Sequence, residues 1–325
     1  MLQRICVFVC LLFPLVISGQ THIRDTSFNT KSAYLKEKKK WPYIRIASPL
    51  NSKEVKVNRD IVYDRYDRNL LLDVFYPKKR QAKPLPAVVL VFGGGWRSGN
   101  RGMNDAMAEY LASQGYVAVS IDYRLSTEAL YPAAVYDVKS GIRWTRANAK
   151  KFNIDTSRIA VLGCSAGGQL AALTGTTNGR DKFEGKGANR DFSSKVHAVV
   201  NIDGVLAFIH PESGETGGTP EKPSAANLWF GGTHTENPQP WQEASALNHV
   251  DKNTVPFLFV SSSIPRFHAG RDDMIEKLNA LGIYSEVHTL DDTPHPFWLF
   301  HPWFNPTMEF TLNFLNKIFK PADQK

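Results

Sequence analysis

Cysteine is scarce. The chain has 3 cysteines in 325 residues, and two of them, Cys6 and Cys10, fall in its first nineteen positions. With that stretch removed, Cys164 stands alone and no internal disulfide can form. Cys164 reads as a small core residue. No group of cysteines and histidines has the spacing of metal ligands, so no metal and no cofactor is expected. Aromatic and basic residues are not interleaved, which argues against a nucleic-acid partner. Internal repeats are absent, and no Leu-x-Gly-Cys precedes either early cysteine, so lipid anchoring is not indicated.

What is present is a hydrophobic fraction of 42%, enough for a substantial core in one large α/β domain or two small ones. Residues 1–19 read as a secretory signal. Arg4 supplies the positive end, Ile5 to Ile17 is apolar but short for a bilayer span, and Ser18 and Gly19 precede a cleavage point at Gln20. An uncleaved anchor is the alternative. The expectation is a secreted or periplasmic protein with no stable membrane insertion after cleavage; the sequence does not fix its oligomeric state. The formal charge is +8. Much of it is local, in Lys36, Lys38, Lys39 and Lys40, a run read as a solvated or mobile face.

Residues 20–55 are polar and weakly patterned and read as a loose leader, with Trp41 and Tyr43 available to pack back. A main domain is expected over 56–320. Leu70–Pro77, Ala87–Phe92, Tyr116–Ile121, Val196–Ile202, Pro256–Ser261 and Ser285–Thr289 read as strands, several of them continuous apolar runs suited to a sheet buried on both faces. Helices are expected over Asp105–Gln114, from Pro132, over Asp272–Leu281 and over Pro306–Phe319. The alternation predicts a doubly wound, mostly parallel α/β sheet. Periodicity disappears over 204–250, after the sixth strand. An irregular stretch of that length reads as a cap-like, binding insertion.

The chain is organised around Ile159–Leu173. The apolar run Ile159-Ala160-Val161-Leu162 ends in Gly163-Cys164-Ser165-Ala166-Gly167-Gly168, and helix formers follow. Strand, sharp turn and helix with G-x-S-x-G spacing make a nucleophile elbow. The serine stands at a strained tip, the flanking glycines let strand and helix pass closely, and the helix N-terminus points amides at the site. A second glycine cluster, Gly93-Gly94-Gly95, follows the strand Ala87–Phe92. Three consecutive glycines are costly unless the backbone must come close to something.

The order Gly-Gly-Gly-Trp, Asp122-Tyr123-Arg124-Leu125, a proline-started helix and then Gly-x-Ser-Ala-Gly-Gly resembles the α/β-hydrolase fold. More narrowly, it resembles carbohydrate-active carboxylesterases of the feruloyl/acetyl esterase type, near the hormone-sensitive-lipase group. The likeness runs from about 60 to 318 and is tightest over 87–174. It implies a serine carboxylesterase with Ser165 as nucleophile and an oxyanion hole formed by the amides of Gly94, Gly95 and Ala166. The family usually has histidine before the three glycines, where this chain has Phe92. His295, shortly after the last strand, stands where the family keeps its catalytic histidine, with His288 and His301 as nearby alternatives. The usual acid after the strand Pro256–Ser261 is missing, since Ser262-Ser263-Ile264-Pro265-Arg266 holds no carboxylate. Asp203, at the end of the sixth strand as in some haloalkane dehalogenases of the same fold, is favoured over Asp272 or Asp273, which read more simply as helix first-turn charges.

The function so implied is removal of acetyl or feruloyl groups from plant-type polysaccharide by a Ser-His-Asp acyl-enzyme route. Trp96, Trp298 and Trp303 could offer flat faces to sugar rings. Arg266 could grip a carboxylate of the substrate or pair with an acid of the protein. A peptidase or lipase of the same fold and a non-catalytic carbohydrate-binding relative are the competing classes.

Overall fold

The run Ala87–Phe92 has no polar alternation because both of its faces are covered. Ala87, Val89 and Val91 face one core, Val88 and Leu90 the other, and all five are fully buried. Each valine or leucine so buried contributes roughly 1.5–3 kcal/mol. The computed structural model describes residues 25–219 and 221–319. The segment 1–19 expected to be a signal lies outside the described residues.

Eight strands form the main sheet: β1 (Val55–Arg65), β2 (Asn69–Pro77), β3 (Leu85–Val91), β4 (Val117–Ile121), β5 (Ile154–Cys164), β6 (Ala198–Ile202), β7 (Phe257–Ser262) and β8 (Ser285–Leu290). Their order is β1-β2-β4-β3-β5-β6-β7-β8. Strand β2 is antiparallel to both its neighbours, and every pairing from β4 to β8 is parallel. Helices α2 (Asp105–Ser113) and α7 (Phe304–Phe319) close one face, α3 (Ala133–Ala147) and α4 (Ala166–Thr176) the other. This is the arrangement of an α/β-hydrolase. Parallel strands direct all their carboxyl ends to one edge, and ligand sites form there.

From Asp25 onward the leader is not loose. Asp25 bridges to Ser98, and the Phe28 N–H donates to Ser98 Oγ at 2.9 Å. Helix α1 (Thr30–Glu37) starts with a capping box in which Asn29 and Ser32 satisfy each other's amides. Trp41 is buried edge-on against Trp303, with ring centroids 6.3 Å apart. Arg45–Ile46 then pairs with Phe300–His301. The sequence TKSAYLKE has no clear apolar stripe, so this helix is held by its cap and by docking of Ala33 rather than by amphipathic pattern. The lysine run is solvated as expected, and Lys40 lies over the Trp41 ring at 4.2 Å.

Over 204–250 the chain makes two short helices, α5 (Ala225–Phe230) and α6 (Pro238–Glu243). Trp229, Phe230 and Trp241 are buried and pack with Phe208 in the main core. They also pack on one another, with Phe230 4.9 Å from both Trp229 and Trp241, and short helices and turns bring them together, so their spacing in sequence shows no period.

Candidate active site

Strand β5 delivers Ser165 into a backbone conformation with φ 54° and ψ −121°, one that L-residues rarely adopt. The glycines make this possible. A Cβ on Gly163 would strike the Gly167 carbonyl, and one on Gly167 would strike that of Val91. Strand β3 is the neighbour of β5, and Val91 is in register with Gly163. The loop Gly93–Ser98 that leaves β3 therefore lies beside the serine. Gly94, at φ +133°, has no room for a side chain because Ser98 O occupies it. Among the described residues, no hydrogen bond engages the N–H of Gly94, Gly95 or Ala166.

Ser165 Oγ lies 2.8 Å from His295 Nε2, and His295 Nδ1 lies 2.8 Å from Asp203 Oδ2. Asp203 is 1% exposed and follows β6 with φ +49°. Ser262, at the end of β7, donates its N–H to Asp203 Oδ1 at 2.8 Å and its hydroxyl to Oδ2 at 2.6 Å. Two donors from Ser262 and the His295 imidazole thus converge on one buried carboxylate. With Nδ1–H directed at Asp203, the imidazole presents an unprotonated Nε2 to the serine hydroxyl.

The alternatives lie elsewhere. Asp272 is exposed and bonds Arg271, and Asp273 meets His210. His288 stacks on Phe310, and His301 belongs to the short ladder with Arg45. Burial, with the Asp203 carboxylate adding to it, holds the Cys164 thiol well above its usual range, so it is a neutral core group. Phe92, in place of the family's histidine, is fully buried and stacks on Tyr123 at 4.4 Å.

These groups sit at the base of a cleft of about 780 Å³. One wall is the N-terminal segment, through Phe28, Ala33 and Trp41, which the sequence gave no reason to place there. The insertion adds Val205, Gly214 and Glu215.

Three tryptophan expectations need correction. Trp96 and Trp298 touch the cleft but are only 4% and 3% exposed. Trp96 lies flat on Trp229, with centroids 4.8 Å apart, and Trp298 stands edge-on to His295. Trp303 is engaged by Trp41 and Tyr43. None has a free face for a sugar ring. Trp96 instead donates Nε1–H to Gln169 Oε1 at 2.9 Å, and Gln169 Nε2 donates to the Ala244 carbonyl at 2.8 Å. Gln169, one helical turn after Ser165, thus ties the glycine loop to the insertion. Its polar side chain in an otherwise apolar helix was the available signal. Arg266 lines the cleft and makes no ion pair among the described residues, so the pairing with a protein acid is also corrected.

The family model described as BD-FAE matches residues 72–274. The chain belongs to the BD-FAE family. Among curated relatives of this BD-FAE chain, Esterase LipC of Mycobacterium tuberculosis is 36% identical over 198 residues, covering 59% of this chain and 47% of that protein. The Probable carboxylic ester hydrolase LipM of the same organism is 27% identical, covering 72% and 52%. The chain spans about half the length of these two curated relatives. Among solved structures, a bifunctional GH43-CE protein of Bacteroides eggerthii is 28% identical with a TM-score of 0.70, covering 81% of this chain and 38% of that one. A truncated carbohydrate esterase from gut microbiota is 25% identical with a TM-score of 0.67, covering 82% and 99%.

Proposed function

We propose that the protein is an exported serine carboxylesterase that removes acyl groups, acetyl or feruloyl, from plant-type polysaccharide. The observation that carries the reading is the line of two 2.8 Å hydrogen bonds from Ser165 through His295 to the buried Asp203. The esterase names of the relatives and the carbohydrate-esterase descriptions of two structural neighbours support it. Export rests on the pattern of residues 1–19 alone.

In this mechanism His295 Nε2 takes the Ser165 proton as Oγ adds to the ester carbonyl carbon. The carbonyl electrons move onto oxygen, and the amides of Gly94, Gly95 and Ala166 stabilise that charge. Asp203 keeps the imidazole in the required tautomer and steadies the imidazolium. Collapse of the tetrahedral adduct expels the alcohol, which leaves with the proton from Nε2, and Ser165 carries the acyl group. Water then repeats the sequence, releasing the acid and restoring the serine.

The test is a fluorophosphonate probe followed by peptide mapping, with an ester panel of acetylated xylan, acetylated pectin and feruloylated arabinoxylan. Labelling at Ser165, its loss in Ser165→Ala, and turnover of at least one polysaccharide ester are expected. An unlabelled wild type that turns over none of them rejects the assignment and leaves the carbohydrate-binding alternative.

A further inference from the structure

The loop after β7 brings a cation to the reacting groups. The Arg266 guanidinium lies 4.2 Å from the centroid of the Phe267 ring. Phe267 stacks in turn on His295, with centroids 3.3 Å apart and planes 8° apart. One aromatic ring therefore separates the charge from the imidazole. The stem of Arg266 runs past Gly214 of the insertion, where an added Cβ would come within 3.3 Å of its Cδ. The glycine leaves the arginine its path into the cleft.

Among the described residues, no carboxylate neutralises this charge. Arg59, Arg68, Arg101, Arg124 and Arg158 each close on an aspartate or glutamate, whereas Arg266 closes on none among the described residues. The acids that share its cleft are engaged elsewhere. Asp203 holds Ser262 and His295, Glu215 accepts the Ala226 N–H, and Glu37 pairs with Lys36. Lys36 adds a second cation to the lining. Stacking on Phe267 fixes the guanidinium without using its N–H donors, so the donor fork remains available.

Position gives the ligand's place. In an acyl transfer the leaving oxygen must sit at His295 Nε2 to receive its proton, so the ring stacked on His295 and the cation beyond it border the alcohol half of the ester. Building on the esterase reading, we propose that Arg266 forms a carboxylate subsite for the alcohol half, so that the enzyme prefers acyl esters of uronate-containing polysaccharide. A guanidinium meets a carboxylate through two parallel hydrogen bonds, a geometry that a neutral sugar hydroxyl cannot match.

The experiment measures acetate release by wild type, Arg266→Ala and Arg266→Lys. The substrates are an acetylated oligogalacturonide, the same oligosaccharide with its carboxyls methyl-esterified, and a neutral aryl acetate. The wild type should favour the free acid over its methyl ester by about 10- to 100-fold in kcat/KM, the range for hydrogen bonds to a charged group. Arg266→Ala should erase that preference, chiefly through KM, and Arg266→Lys should keep part of it. A wild type that cleaves the aryl acetate but treats acid and methyl ester alike overturns the subsite and leaves the esterase intact. Equal losses on all three substrates in Arg266→Ala, or no loss, also overturn it. A wild type inert on all three overturns the subsite, and the esterase reading then stands or falls separately with fluorophosphonate labelling of Ser165.

Discussion

Ser262 grips both oxygens of Asp203, with its amide on Oδ1 at 2.8 Å and its hydroxyl on Oδ2 at 2.6 Å. The two residues end neighbouring parallel strands, where Ile202 is in register with Val260. The carboxylate that the resemblance placed after the seventh strand here stands after the sixth. The seventh strand supplies its donors instead. The carboxylate stands one strand nearer Ser165, and the His295 imidazole still reaches it.

Asp203→Asn should therefore lower kcat by about 10³–10⁴, because the amide favours the wrong imidazole tautomer and cannot stabilise the imidazolium. Asp272→Asn, at an exposed side chain bonded to Arg271, should stay within about twofold of wild type, as expected of surface positions. Steady-state kinetics on an aryl acetate decides the matter. The reverse ranking would remove Asp203 from the site.

Ser262→Ala keeps the amide bond to Oδ1 and deletes the hydroxyl bond to Oδ2. As a positioning residue, Ser262 should act on kcat rather than KM, with a loss of about tenfold or more for a hydrogen bond to a charged acceptor. Ser262→Thr retains the hydroxyl and should recover most of the rate. A fall confined to KM, or no recovery in the threonine variant, would rule out this role.

The features that sequence displayed were local ones. Strand, glycine turn and helix around Ser165 are contiguous, and the glycine loop follows directly on a fully apolar strand, so each could be read from a dozen residues. The acid stayed open between Asp203 and Asp272 because the choice depends on which strand ends lie side by side. Ser262 and Gln169 were missed for the same reason, since their partners lie 59, 73 and 75 positions away. Trp96 was misread because its partner Trp229 lies in the stretch without periodicity. Helix α1 was missed because capping and docking hold it, and neither leaves an apolar stripe.

Gln169→Leu should destabilise the fold and impair the site together. It leaves the Trp96 indole N–H and the Ala244 carbonyl buried without their present partner, at about 1–3 kcal/mol for each group. The denaturant midpoint should fall. In the folded fraction kcat should fall too, because the loop carrying Gly94 and Gly95 loses its tie to the nucleophile helix. An unchanged midpoint would mean that the two bonds contribute nothing net.

Acid stability should depend on His249. Its Nε2 lies 2.7 Å from the Glu243 carbonyl, and its Nδ1 lies 3.0 Å from Arg180 Nη1. Nε2 therefore carries the proton and Nδ1 accepts from the guanidinium. A second proton on Nδ1 would face that donor directly. Burial lowers the pKa of His249 below 6.5, and Arg180 and Lys182 lower it further against the opposing pull of Glu243. Asp251 pairs with Arg180 rather than with the imidazole. Burial likewise lowers His197 and His268 below 6.5. A base with a depressed folded pKa favours the folded state while neutral. Between the folded value and 6.5 the unfolded chain binds more protons, so stability rises with pH. These contributions are complete above about pH 6.5, the unperturbed value, and are lost as pH falls toward the folded values. Urea midpoints should thus drop between pH 7.5 and 5.5, and the drop should be smaller in His249→Gln, which cannot be protonated. A variant with the same pH dependence as wild type would show that His249 does not contribute to it.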